Sequence, residues 1–227
     1  MGAFNFAMGT LSSLSSAISL PKGPGKNAVN LNELSITLDD NAQRAFTEFT
    51  TGMRMLHKHS TRHGFNLASI ARQNLKLLHT NLGASQAYRK TIQKIRSGMV
   101  SSNHWAWLPL AENDGITCGL LYVPAGHTVA PHTAGANVTI HQNELHSPFA
   151  AAENYDIGYQ LYLGLIGSTH IECTQPNRRV TPAIEHSKSL LKRGDTFMEE
   201  PLYSQIRRLS AGREASLLLN VYIKTSQ

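Results

Sequence analysis

Before Trp105 the apolar residues of this chain recur at helical spacing, and after it they gather into short runs of strand length. Asp39 or Asp40 is placed to cap a helix through 41–50, with Phe46, Phe49 and Met53 on one face. A second helix is predicted over 67–82, where Leu67, Ile70, Ala71, Leu75 and Leu78 follow i, i+3, i+4 spacing and Gly83 takes the C-cap position. A third, over 85–96, turns Ala87, Ile92 and Ile95 inward and Arg89, Lys90, Lys94 and Arg96 outward, and Gly98 stops it. Upstream, Phe4, Met8, Leu11, Leu14 and Ile18 also fall at helical spacing, in a Ser- and Gly-rich stretch. Two readings stay open there: an amphipathic helix that docks on the body, a partner or a membrane surface, or a poorly ordered tail. Pro21 to Lys26 is a linker by composition.

The strand-like runs are 105–110, 117–123, 158–164, 167–173, 188–195, 204–209 and 215–223. The glycines at 158, 164 and 167 predict a hairpin between the third and fourth of these. Many short strands with Gly and Pro turns argue for a closed or double-sheet architecture, which hides strand edges. The chain thus divides into an N-terminal segment and linker (1–26), a helical region (27–103) and a β-barrel (104–227).

Composition narrows the function classes. A chain of 227 residues with 41% hydrophobic content has material for a packed core. The formal net charge of +6 is modest for the length and reads as a solvated basic surface spread along the chain, so no nucleic-acid partner is expected. Cys118 and Cys173 lie in apolar, strand-like text and read as buried free thiols, which suits a reducing compartment and hence the cytoplasm. No apolar run is long enough for a transmembrane helix, and the first 21 residues, which carry no charge, lack the basic start of a secretory signal. Walker, dinucleotide-binding, nucleophile-elbow and zinc-finger patterns are absent.

The candidate chemistry lies in two stretches, Gly115 to His132 and Gly194 to Tyr222. In the first, Gly126 is followed after five residues by His132; in the second, Gly194-Asp-Thr-Phe leads to a last strand, Leu218-Leu-Asn220-Val-Tyr222. Together they resemble the two motif regions of the cupin superfamily, and most closely its thiol (cysteine) dioxygenase branch, over residues 105–225. The resemblance implies a cupin-type double-stranded β-helix (a jelly-roll barrel), Fe(II) as cofactor, oxygen insertion into a small thiol, and a homodimer. It also implies which residues would act. His132 takes the place of the first-motif ligand, while its partner two residues on is Ala134. Residues 135–157 resemble an insertion before Gly164, and their His141, Glu144 and His146 either replace the lost ligand or are loop residues. The second-motif histidine falls on Gln205 in one register and on Arg207 in another. Gln205 would add a neutral oxygen donor, whereas the guanidinium of Arg207 favours a carboxylate or phosphate over a cation. Of the branch's Ser-x-His-x-Tyr on the last strand only Tyr222 is matched, and its hydroxyl would orient substrate.

Three functional readings follow. One is an iron-dependent dioxygenase acting on a small thiol. Another is a metal-free barrel that binds an anionic small molecule or serves as a regulatory module. The last is an assembly protein that meets a protein partner through its N-terminal region. Outside these motifs, His59 and His63 stand four apart and would share a helix face, either as a metal pair or as a solvated basic helix end. Trp105 and Trp107 would point the same way from a strand, into the core or onto a docking helix.

Overall fold

The computed structural model describes residues 29–31, 34–63, 67–133, 158–176, 184–199 and 206–224. Helices α1 (Asp40–His63), α2 (Leu67–Leu82) and α3 (Gln86–Arg96) come first, framed by the short parallel pair β1 (Val29–Asn30) and β2 (Val100–Ser101). The remaining strands are β3 (Ala106–Asn113), β4 (Ile116–Val123), β5 (Thr128–Thr133), β6 (Gly158–Ile166), β7 (Ser168–Pro176), β8 (Ile184–Lys192), β9 (Thr196–Glu199), β10 (Ile206–Ala211) and β11 (Ser216–Lys224).

Local chemistry sets the helix ends. Asp39 caps α1, its Oδ1 accepting from the Ala42 backbone N–H at 3.0 Å. The helix then runs well past the predicted 41–50, because Phe46, Phe49 and Met53 continue a buried stripe. At the end of α3 the Gly98 and Met99 N–H groups donate to the carbonyls of Ile95 and Lys94, the paired bonds of a Schellman stop.

The strand pairing explains the barrel. β7 and β8 form an antiparallel hairpin, and outward from it β6 pairs with β9, β5 with β10, and β4 with β11. Strands β4 to β11 are therefore one long hairpin. It is rolled up by two further pairings, β6 with β11 and β7 with β10, into a jelly roll. The result is a five-stranded sheet, β3-β4-β11-β6-β9, facing a four-stranded sheet, β5-β10-β7-β8. The predicted hairpin of 158–164 with 167–173 does not form: β6 and β7 are consecutive but belong to different sheets, the chain crossing at Gly167. The predicted strand over 188–195 is the end of β8 as far as Lys192; residues 193–195 are the turn that leads to β9 in the other sheet.

Period-two alternation sends the two faces of the five-stranded sheet into different cores. Leu217, Leu219, Val221 and Ile223 of β11, with Leu161, Leu163 and Leu165 of β6, meet Phe46, Phe49, Leu75, Leu78 and Leu82 of the helices. Leu218, Leu121, Val123 and Tyr162 face the other way and meet Val129, Ile171, Leu191 and Leu209 of the four-stranded sheet. Each fully buried side chain of this size contributes about 1.5–3 kcal/mol relative to exposure. Trp105 and Trp107 pack on the inter-sheet core, so neither docks a helix. Cys118 is a buried free thiol on the helix side, and burial pushes its pKa up, leaving it protonated and inert.

Two close contacts pin these layers. At Gly164 the β6 backbone meets the turn between β8 and β9: its N–H donates to the Asp195 carbonyl at 3.0 Å, and its carbonyl accepts from Gly194 N–H at 2.8 Å. In the helical layer, His79 Nδ1 and the buried Tyr88 hydroxyl are hydrogen-bonded at 2.8 Å. Burial, and then the charge of Arg193, lower the His79 pKa.

Two outcomes test these contacts. A Cβ at Gly164 would lie 2.8 Å from the Lys192 carbonyl carbon, a backbone atom that cannot step aside. Gly164→Ala should therefore cost about 2 kcal/mol or more and lower Tm by about 4–8 °C in a circular-dichroism melt; an unchanged Tm contradicts the close approach. Because the folded His79 pKa is lowered, the unfolded chain binds the extra proton first. Stability held above the ordinary histidine value of about 6.5 is then lost as pH falls through it toward the folded value. His79→Gln keeps a partner for Tyr88 but cannot titrate, so its Tm should fall less than that of wild type between neutral and mildly acidic pH. Parallel curves would dismiss His79 as the source.

Candidate functional site

The two ends of the barrel differ. At one end the crossings after β4, β6, β8 and β10 are short turns, laced by backbone bonds such as Gly126 N–H to Gly212 O (2.8 Å) and Ala211 N–H to His127 O (3.0 Å). At the opposite end stand Thr133 and Gly158, Pro176 and Ile184, and Glu199 and Ile206. These strand ends flank segments 134–157, 177–183 and 200–205. Function on such scaffolds gathers where connections vary in length, not where they are pinned.

On the five-stranded wall at this end, β11 presents Asn220 and Tyr222 to the inter-sheet side, since both alternate with the helix-facing Leu219, Val221 and Ile223. Both are buried, Tyr222 at 7% exposure and Asn220 at 9%. Tyr222 stands between Thr117 of β4 and Gln160 of β6; Asn220 stands between Gly119 and Tyr162. The Asn220 amide donates to the Leu161 carbonyl at 3.3 Å, and the Tyr162 hydroxyl donates to Gln160 Oε1. Tyr162 also leans on the Phe197 ring, with centroids 6.4 Å apart. Gly119 leaves room for the Trp107 indole, which lies where a side chain would otherwise stand.

The opposite wall supplies His132 and Arg207 as backbone positions. β10 runs between β5 and β7, and its Arg207 is directly across from His132 on one side and Cys173 on the other. The pairing of β5 with β10 shifts between Arg207 and Leu209, where residues 130 and 131 of β5 oppose Arg208 alone. That bulge is what brings His132, rather than its neighbour, opposite Arg207.

The predicted site residues therefore divide. His132, Arg207 and Tyr222 stand on strands that reach the same end of the barrel. His141, Glu144, His146 and Gln205 lie outside the described residues. Among the described residues no three His, Cys, Asp or Glu side chains come together to hold a metal. These strands offer one imidazole, and the position across from it carries a guanidinium, which repels a cation. Gln160, Tyr162 and Asn220 escape a sequence reading based on ligand motifs. Their signal is a polar group inside an apolar strand, as Asn220 is in Leu-Leu-Leu-Asn-Val-Tyr.

No family model and no curated protein matches the chain. Among solved structures, the chain is similar to a cupin superfamily protein of Desulfitobacterium hafniense, with 17% identity, a TM-score of 0.37, and coverage of 57% of this chain and 87% of that one. It is also similar to KdgF of Halomonas sp. (13% identity, TM-score 0.35, 55% and 90% covered) and to the cupin domain of Cnp3 from Schizosaccharomyces pombe (13%, 0.33, 53% and 64%). The fold is that of a cupin. The strand pairing carries that statement; likenesses this distant say nothing of activity. Among the described residues no helix is long and apolar enough to cross a membrane.

The wall packing has a direct test. A Cβ at Gly119 would come within 2.6 Å of Trp107 Nε1, so Gly119→Ala must displace the indole. In a Trp105→Phe background, the emission of Trp107 should shift to the red and Tm should fall by a few degrees, for a cost of about 1–3 kcal/mol. Unchanged emission would contradict the packing of the indole on Gly119.

Proposed function

We propose that this cupin is a binding module for a small carboxylate- or phosphate-bearing anion, held at the barrel end that carries Arg207, His132 and Tyr222. The observation that carries this reading is the register of Arg207 directly opposite His132. A guanidinium there supplies a planar fork of donors for an oxyanion, and imidazole, phenol and amide groups are further hydrogen-bonding partners of the same kind. Tyr222 and Asn220, buried on the facing wall, would orient the ligand rather than transform it. The buried thiol of Cys118 accords with a reducing compartment such as the cytoplasm.

A second reading keeps the thiol-dioxygenase activity. It is favoured by Tyr222, which stands on the inter-sheet face where a substrate-orienting hydroxyl is needed. It requires His141, Glu144, His146 or Gln205 to complete an iron shell around His132. When bound, iron would supply the site for thiolate and oxygen together.

Elemental analysis and anion titration separate the two. The anion reading predicts no stoichiometric iron and a rise in Tm with phosphate, sulfate or a dicarboxylate, worth about 2.7 kcal/mol at a hundredfold excess over Kd. Arg207→Met should abolish that rise, while Arg208→Ala keeps it. Stoichiometric iron lost in His132→Ala, with thiol-dependent oxygen uptake, would overturn the anion reading in favour of the second.

A further inference from the structure

The positive charge of this protein is not distributed evenly. From Phe49 to Ala111 the chain contains no Asp or Glu, and the rest of it carries more acid than base. The excess lies on the helical layer. Arg72 and Lys76 of α2, and Arg89, Lys90, Lys94 and Arg96 of α3, are all exposed, and among the described residues none has a carboxylate partner. The two helices meet at a cleft of about 570 Å³ whose walls include Thr80, Arg89, Gln93 and Arg96. Arg89 is held in place there, its Nη1 donating to the carbonyls of Gly83 (2.6 Å) and Ala84 (3.1 Å).

Like charges gathered without counter-charges repel one another, which stability alone does not explain. The pattern suits a polyanion. Four candidate classes place different demands on such a surface. A lipid surface requires a continuous apolar face that enters the bilayer interface, but α2 and α3 turn Leu75, Leu78, Leu82 and Ile95 to the barrel and leave Leu77 alone among the cations. An acidic protein partner requires a cluster of aromatic or apolar anchors, whereas on these helices Tyr88 is buried and Leu77 is the single large apolar side chain exposed among the described residues. A single strand would look for exposed rings on which to stack bases, and none stands on these helices. Phosphates of a duplex need only cations and neutral donors, and Gln73, Thr80, Gln86 and Gln93 are exposed between the cations.

We propose that the exposed face of α2 and α3 binds the phosphate backbone of a nucleic-acid duplex without reading its sequence. The barrel's anion site is separate from this surface, since Arg207 belongs to the four-stranded sheet on the far side of the five-stranded one.

The test is fluorescence anisotropy of the full chain with short labelled DNA and RNA duplexes, from about 50 to 200 mM salt. Affinity should fall linearly with salt on logarithmic axes and should not depend on base sequence. Lys90→Glu with Lys94→Glu should weaken binding by tenfold or more and flatten the salt slope by about 2. Arg72→Ala with Lys76→Ala should act in the same direction, and Arg213→Ala, on the turn after β10, should not. Arg207→Met should leave duplex binding intact, so failure of the anion reading would not be mistaken for failure here. No binding at the lowest salt, binding indifferent to the α3 charges, or capture by phosphatidylserine vesicles or polyglutamate but not by duplex would each overturn the proposal.

Discussion

The whole structure hangs on a sheet that is buried on both faces. β11 is paired on both sides and apolar toward both cores, with Leu217, Leu219, Val221 and Ile223 toward the helices and Leu218 toward the second sheet. A slip of one residue in its register would exchange these sets and turn Asn220 and Tyr222 into the helical core, leaving their polar groups without partners. The pairing is therefore fixed by two opposed demands at once. The helical layer is one of them, so α1, α2 and α3 determine which side chains reach the barrel interior even though they never touch it.

From that constraint the placement of the site follows. One end of the rolled hairpin is closed by backbone bonds across tight turns, which leaves no freedom for variation. The other end receives the last residues of β5, β7 and β9 and the first of β6, β8 and β10. These strand ends stand beside Tyr222 and Gln160 on one sheet and the His132–Arg207–Cys173 row on the other.

Much of this was legible in the chain. Helical spacing located α2 to the residue and α3 within one residue of its start, because their apolar stripes are regular and Ser85 and Gly98 bound the second of them. The mainly β second half and its cupin topology were also within reach. The pairing was less so, since nothing local distinguishes a hairpin from a crossing between sheets: Gly167 permits the turn after β6 in either case. β5 was hidden by Pro131 and by its bulge, which break the alternation that marks a strand. For the site, spacing singled out His132 and Tyr222, while the strand facing Arg207 is known only from the pairing. Charge was the opposite case. Its total looked ordinary, although the acid-free run from Phe49 to Ala111 stood in the chain to be read.

The edges of the two sheets have a consequence for how this protein behaves among its own copies. The four edge strands are β3 and β9 in one sheet, β5 and β8 in the other. β3 carries Pro109 beside a shift in its pairing, and β5 carries Pro131 within its bulge. β9 is four residues long, and β8 bears the exposed Lys188 and Lys192. Proline removes donors, bulges twist an edge away, brevity shortens the template and lysine resists desolvation. An open sandwich guarded in this way at every edge is protected against strand-by-strand aggregation, so copies of this chain that associate are left to meet face against face.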